Sequence, residues 1–376
     1  MNDAYFRTEG LTVGYNGKPL IRDIALGLRA GEILTLIGPN GSGKSTILKS
    51  ITKHLSAIRG DAFIAGASVN AMNYKELSKK LAVVLTERLR GELLTCWDVV
   101  ATGRYPYTNT LGILDAEDRK KVFAAMERVH AADLADKNFS AVSDGQRQRI
   151  LLARAICQEP EILVLDEPTS FLDIRHKLEL LGILRSMAKE KGITVILSLH
   201  EIDLAQKISD KILCVSGETI SHFGTPDEIF REEIINPLYG IEKGSFNLTF
   251  GSVELPRPEG EPKVFVISGC GSGVRLFRRL QKAGLPFYAG ILYENDIDLQ
   301  VAAPLAARVI TETPFLSIRD ETYEAARSLM KQCEAVVCAG VPIGESNRRL
   351  GDLIREAGAL GLLKEENALF HRQEAR

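Results

Sequence analysis

Between the apolar run ILTLIG (33–38) and the helix-patterned STILKSITKHL (45–55) stands Gly38-Pro39-Asn40-Gly41-Ser42-Gly43-Lys44-Ser45-Thr46. It satisfies G-x-x-x-x-G-K-[ST] and constrains the fold more than any other segment. Glycines let the backbone curl so that successive amide N–H groups converge on phosphate oxygens. A helix opening at Lys44 adds its partly positive end. Lys44 is expected to reach the β- and γ-phosphates of a nucleotide, and the Ser45 hydroxyl to hold Mg²⁺. A glycine-rich turn matching by chance is the competing reading, and the strand–loop–helix setting argues against it.

The surrounding text agrees with an α/β fold. Short β-rich runs such as GEILTLIG (31–38), EILVLDE (161–167) and ITVILSLH (193–200) alternate with helical stretches, as buried parallel strands and crossover helices do. In ILVLDEPTS (162–170) four apolar residues end in Asp166 and Glu167. A strand stopping at a carboxylate, in a chain with a phosphate loop, matches the loop's magnesium-holding partner. Asp166 is expected to bind the metal, and Glu167 to polarise the attacking water. The bland reading is a solvated acidic turn.

Val142-Ser143-Asp144-Gly145-Gln146-Arg147-Gln148-Arg149 resembles the signature of the ABC-transporter ATPases, with Asp144 where that family usually has glycine. Ser170–Asp173 resembles the family's D-loop, His200 stands at its switch-histidine position, and Tyr15 matches the aromatic that stacks on adenine. Together these cover residues 11–200. The resemblance implies a P-loop NTPase with a helical subdomain at about 88–160. It implies a homodimer that traps two ATP head to tail, each between one loop and the partner's Ser143, Asp144, Gly145 and Gln146. Glu167 would activate water, His200 would sense the γ-phosphate, and Asp173 would act across the dimer.

Two departures stand out. The family's early-strand glutamine aligns with Thr86, beside Glu87, in LAVVLTERLRG (81–91). Glu87 could still ligate Mg²⁺, because hard cations favour carboxylate oxygen; alternatively the contact is lost or bridged by water. Asp144 puts a negative charge close to a docking phosphate unless it turns away to cap the following helix.

The stretch LLTCWDVVATGRYPYTN (93–109), followed by LDAEDRKKV (114–122), resembles ATPases of iron–siderophore, haem and cobalamin importers. The alternative is a tight turn with packed tyrosines. Such a subunit works with integral membrane permease subunits and an exported substrate-binding protein, and lies peripherally on the inner face of the membrane. A soluble ABC-type ATPase and a nucleotide-sensing regulator are the competing functions.

Composition fits a protein that reaches a membrane through a partner. Lys plus Arg number 47 against 49 Asp plus Glu, a net charge of −2, which disfavours broad nucleic-acid binding. No apolar run approaches the roughly 20 residues a bilayer needs. The N-terminal MNDAYFRTEG has no export-signal pattern. Cys96, Cys157, Cys214, Cys270, Cys333 and Cys338 form no CxxC pair, which fits a reducing cytosol.

A chain of 376 residues is longer than one domain usually is. Prolines at 256, 258 and 262 cannot continue a helix or central strand, so a linker is expected at 253–262, between an ATPase domain at 1–252 and a smaller Rossmann-like α/β domain at 263–376. The second domain starts KVFVISGCGSG, placing Gly269, Gly271 and Gly273 after a strand, a partial dinucleotide-binding match. Glu294 could be its ribose-binding acid. The other reading is a tight βα turn in a regulatory or dimer-bracing domain without nucleotide. Cys333 and Cys338, flanking an apolar strand, are expected to be buried.

Overall fold

The computed structural model describes residues 4–85, 94–109, 112–170, 172–247 and 251–370. The chain divides into two compact units, Met1–Tyr239 and Gly240–Arg376.

In the first unit the apolar runs form the centre of a six-stranded sheet. Its order is Thr219–Gly224, Lys211–Ser216, Ile33–Ile37, Thr194–Ser198, Ile162–Leu165 and Leu81–Val84. All neighbours are parallel except the antiparallel edge pair Thr219–Gly224 and Lys211–Ser216. Ile33–Ile37, Ile162–Leu165 and Thr194–Ser198 are buried along their whole length, as strands covered on both faces must be. A second, antiparallel sheet sets Phe6–Tyr15 between Lys18–Leu28 and Arg59–Ile64. The helix Lys44–Ile51 buries Ile47, Leu48 and Ile51 in the core that both sheets share, so the phosphate loop is clamped at its two ends. Burying each such side chain contributes about 1.5–3 kcal/mol.

Helices Cys96–Ala101, Ala116–Arg128 and Asp144–Cys157 pack on one another to form the helical part. Arg104, from the GRYPY stretch, is only 3% exposed. It donates to Asp118 at 2.8 Å, and at 2.9 Å to both the Cys157 carbonyl and Glu159. The GRYPY arginine is therefore a tie between the three helices. No helix among the described residues is long and apolar enough to cross a membrane.

The second unit is Rossmann-like. Its four parallel strands run in the order Arg308–Glu312, Phe287–Tyr293, Val264–Ile267, Ala335–Cys338. Helices Val274–Lys282 and Ile297–Leu305 bury one face of the sheet, and Asp320–Lys331 with Arg348–Ala359 bury the other. Cys333 is buried, and its Sγ lies 3.4 Å from the Leu329 carbonyl; Cys338 is only partly buried.

The expected boundary needs correction. Ser252–Glu254 pairs with Ser245–Asn247, and buried Glu254 is bonded to Arg278, so this hairpin belongs to the second unit. The proline-rich run after it is no free linker, because the Pro256 carbonyl accepts from Gln281. Proline forbids regular structure here, as the sequence implies, but its carbonyl remains a good acceptor and straps the run to the unit.

Candidate functional site

The strand Ile33–Ile37 delivers the chain to Gly38, where a Cβ would lie 2.2 Å from the Val215 carbonyl oxygen. The loop closes at Gly43, which caps the helix with φ 100, a backbone conformation that side-chain-bearing residues rarely adopt. Glycine is the residue suited to both places. Among the described residues no side chain accepts from the N–H groups of Gly41, Gly43, Lys44 or Ser45. The buried Ser42 hydroxyl likewise has no partner. A cradle of unpaired donors at a helix start is what a phosphate requires.

Lys44 is 5% exposed, and its ammonium donates to the carbonyls of Gly38 at 2.8 Å and Pro39 at 2.9 Å. Burial lowers its pKa, against the opposing pull of Glu167 and Asp166. Tyr15 ends the strand Phe6–Tyr15, half exposed, with its hydroxyl 3.3 Å from Thr46 Oγ1. Tyr15, Asn40, Lys44, Thr46, Glu167 and His200 line one cleft of about 420 Å³.

Asp166 and Glu167 follow Ile162–Leu165, as expected. The Asp166 N–H donates to the Val84 carbonyl, and its carboxylate, 2% exposed, accepts from Ser198 Oγ at 2.7 Å. The same Ser198 oxygen accepts from the Glu167 N–H at 2.9 Å. Glu167 takes a left-handed φ of 48 and aims its carboxylate at His200 Nε2, 2.6 Å away. Beside them, Glu201 accepts from Thr169 at 2.9 Å and pairs with Lys177 at 2.6 Å. Burial opposes the Glu201 charge, but Lys177 and Thr169 hold its pKa below the usual range.

Sequence reasoning missed Ser198 and Glu201. Their only signal is position, two residues before and one after His200 on the adjacent strand end.

The signature residues lie outside this cleft. Ser143 caps the helix Asp144–Cys157, accepting from the Gln146 N–H while Gln146 Oε1 accepts from the Ser143 N–H. Asp144 does not cap the helix; its carboxylate pairs with Arg147 at 2.6 Å. Gly145 follows in the first turn. Asp173 caps the helix Ile174–Lys191 and accepts from the backbone and side chain of His176, which lowers its pKa. Thr86 and Glu87 lie outside the described residues. Ser45 and Asp166 offer hard oxygens suited to Mg²⁺: one hydroxyl, and a buried carboxylate with a single side-chain donor.

In the second unit, Glu294 is exposed and lies outside the cleft that Asp296, two residues on, helps to line. Gly269, Gly271 and Gly273 do form a βα turn, discussed below.

Fold and cleft together define a nucleotide-binding cassette. The ABC transporter family matches residues 21–170, and the MJ0874 family matches residues 287–375. An uncharacterized ABC transporter ATP-binding protein of Methanocaldococcus jannaschii is 42% identical over 73% of this chain and 96% of its own length. The iron(3+)-hydroxamate import ATP-binding protein of Bacillus subtilis is 34% identical over 62% of this chain and 87% of its own. The cobalamin import ATP-binding protein of Halobacterium salinarum is 29% identical over 90% of this chain and 86% of its own, which extends the likeness into the second unit. A solved structure described as a metal-chelate type ABC transporter, facing inward, aligns with TM-score 0.56 and 27% identity over 62% of this chain and 88% of that one.

The chain belongs to the ATP-binding proteins of ABC transporters. It is an ATPase of that family with a second, Rossmann-like domain.

Proposed function

We propose that this chain is the ATP-hydrolysing subunit of an importer of a metal chelate, such as an iron–siderophore, haem or cobalamin. The observation that carries the reading is the single cleft in which Lys44, Glu167, His200 and Tyr15 meet. The import names of the Bacillus and Halobacterium relatives support the cargo class.

ATP would stack its adenine on Tyr15 and lay its phosphates on residues 38–46. Lys44 would leave the Gly38 and Pro39 carbonyls for the β- and γ-phosphates, a swing its buried position favours because an anion compensates its charge better than two carbonyls do. Mg²⁺, held by Ser45 and Asp166 with Glu87 as a further candidate, would neutralise charge developing on the phosphoryl oxygens. Glu167 would orient a water, accept its proton as oxygen attacks the γ-phosphorus, and ADP would depart with the bridging oxygen. His200 would let go of Glu167 and donate to the γ-phosphate.

A second copy would complete the site through Ser143, Asp144, Gly145 and Gln146, with Asp173 acting across the interface. The helix start at Ser143 supplies further N–H groups for the γ-phosphate. ATP thereby joins the two copies and hydrolysis parts them. The permease would seat in the groove of about 460 Å³ between Lys53, Tyr74, Ser78 and Arg154, beside exposed Tyr107, whose hydroxyl donates to the carbonyl of Gln158 in the groove's lining. The ATPase would then lie on the inner face of the membrane, supplied from outside by a substrate-binding protein.

The test is co-expression with permease and binding protein in vesicles. Uptake of the chelate should require ATP and vanish with Glu167→Gln. A chain that hydrolyses ATP yet binds no permease would fit a soluble ATPase instead.

A further inference from the structure

In the second unit the chain leaves Val264–Ile267 for Phe287–Tyr293 and Arg308–Glu312 on one side, then returns to Ala335–Cys338 on the other. The strand order reverses at Val264–Ile267, and a crevice outside the carboxyl ends of the strands is where such a sheet takes a ligand. A cleft of about 530 Å³ opens there, bounded by the segments that follow Val264–Ile267, Phe287–Tyr293 and Ala335–Cys338. That volume is ample for a small molecule. The floor is kept open by Gly269, where a Cβ would meet Val341 at 3.0 Å and Asp296 at 3.2 Å.

The lining states what chemistry fits. Ile297 and Val341 present apolar surface suited to a planar ring. Asn295 and Ser346, also in the lining, have no side-chain partner among the described residues, so their amide and hydroxyl are available. Asp296 accepts from the Cys270 N–H through both oxygens and from the Asp298 N–H. A carboxylate has about four lone-pair sites, so it can still accept a ligand hydroxyl.

Phosphate is disfavoured on two independent counts. No lysine or arginine lines the cleft. Most N–H groups of the glycine turn, which would cradle a phosphate, already have acceptors: Cys270 donates to Asp296, Gly273 to the fully buried Asp298 at 2.9 Å, Gly269 to Ser272, and Ser272 to the Gly269 carbonyl, which leaves Gly271 alone without one among the described residues. The chain's own carboxylates stand where a dinucleotide's pyrophosphate would. In the loop at residues 38–46, by contrast, the N–H groups of Gly41, Gly43, Lys44 and Ser45 have no acceptor among the described residues.

We propose that this cleft binds a phosphate-free nucleoside, its base between Ile297 and Val341, its sugar hydroxyl on Asp296, and its polar edges on Asn295 and Ser346.

The test is equilibrium dialysis of the full chain against labelled adenosine, guanosine, cytidine and uridine, with a non-hydrolysable ATP analogue saturating the first unit. At least one nucleoside should bind saturably, one per chain. Ile297→Trp, at a half-exposed position that tolerates bulk, should weaken it about tenfold or more. Asn295→Ala should weaken it less. The matching 5′-monophosphate should bind at least tenfold more weakly, and Asp296→Asn should narrow that gap. The proposal fails if none of the four nucleosides binds, if Ile297→Trp binds as the wild type does, or if the monophosphate binds as tightly as the nucleoside.

Discussion

Nε2 of His200 lies 2.6 Å from Oε1 of Glu167. In the mechanism proposed above, the carboxylate that orients water is thus held by the imidazole that would meet the γ-phosphate, and nucleotide would part them before hydrolysis. Glu167→Gln keeps the shape and removes the proton acceptor. Phosphate release should fall about 10²- to 10³-fold, while ATP affinity stays close to that of the wild type. Mutant turnover at the wild-type rate would remove Glu167 from the reaction.

Ser198 is the hinge between the two strand-end acids, donating to Asp166 and accepting from the Glu167 N–H. Ser198→Ala strips a donor from a buried carboxylate and orphans an amide, a loss of about 1–3 kcal/mol. A lower melting temperature should accompany a fall in kcat, because the left-handed Glu167 loses its anchor. Ser198→Thr, which keeps the hydroxyl, should recover much of both.

How far the sequence could be read follows from distance along the chain. The loop at 38–46 is contiguous and its spacing points to its chemistry, while Ser143–Gln146, also contiguous, is legible only through its resemblance to the family's signature. Ser198 meets Asp166 across 32 residues, and Arg104 meets Glu159 across 55. No periodicity marks such pairs. Arg104 drew notice only within GRYPY and proved to be a helical tie. Asp144 shows that local reasoning can also miss: cap and ion pair are both within reach, and Ser143 takes the cap. The expected linker at 253–262 carries no regular structure from Leu255 onward, but Val253 and Glu254 belong to a strand, and only the folded unit shows Pro256 accepting from Gln281.

Asp144 and Arg147 pair at 2.6 Å on an exposed helix face, worth about 0.3–0.5 kcal/mol. Asp144→Gly should therefore leave the melting temperature nearly unchanged. It should tighten the ATP-driven dimer several-fold at low salt, on the order of 1 kcal/mol, by removing a negative charge beside the docking phosphate. Sedimentation in the Glu167→Gln background reads this, and the gain should shrink as salt screens the charge.

Arg104 is buried against Asp118, with side chains 4% and 11% exposed. Burial opposes the guanidinium's charge, but Asp118 and Glu159 outweigh it and raise its pKa. Arg104→Met leaves the Asp118 carboxylate without its charged partner and should cost about 3–5 kcal/mol. Adding Asp118→Leu should restore much of that loss. Thermal unfolding of the single and double variants measures the pair, and equal melting temperatures for both would argue against it.

Glu312 ends the strand Arg308–Glu312 and is 1% exposed. Burial alone would raise its pKa, but the N–H groups of Arg319 and Thr313 and the Arg319 guanidinium bring it down to about 2. A carboxyl held that far below its ordinary value stabilises the fold by about 3 kcal/mol once ionised. The sign follows from the depressed pKa: the contribution is complete above the unfolded value near 4.5 and is lost as pH falls toward 2. Glu312→Gln should therefore lower second-unit stability at pH 7 by roughly that amount, and the gap between wild type and variant should close between about pH 4.5 and 2. Hydrogen exchange at the strand Phe287–Tyr293, followed across that range, reports the second unit separately from the first. A gap that stayed constant down to pH 2 would place the stabilisation elsewhere.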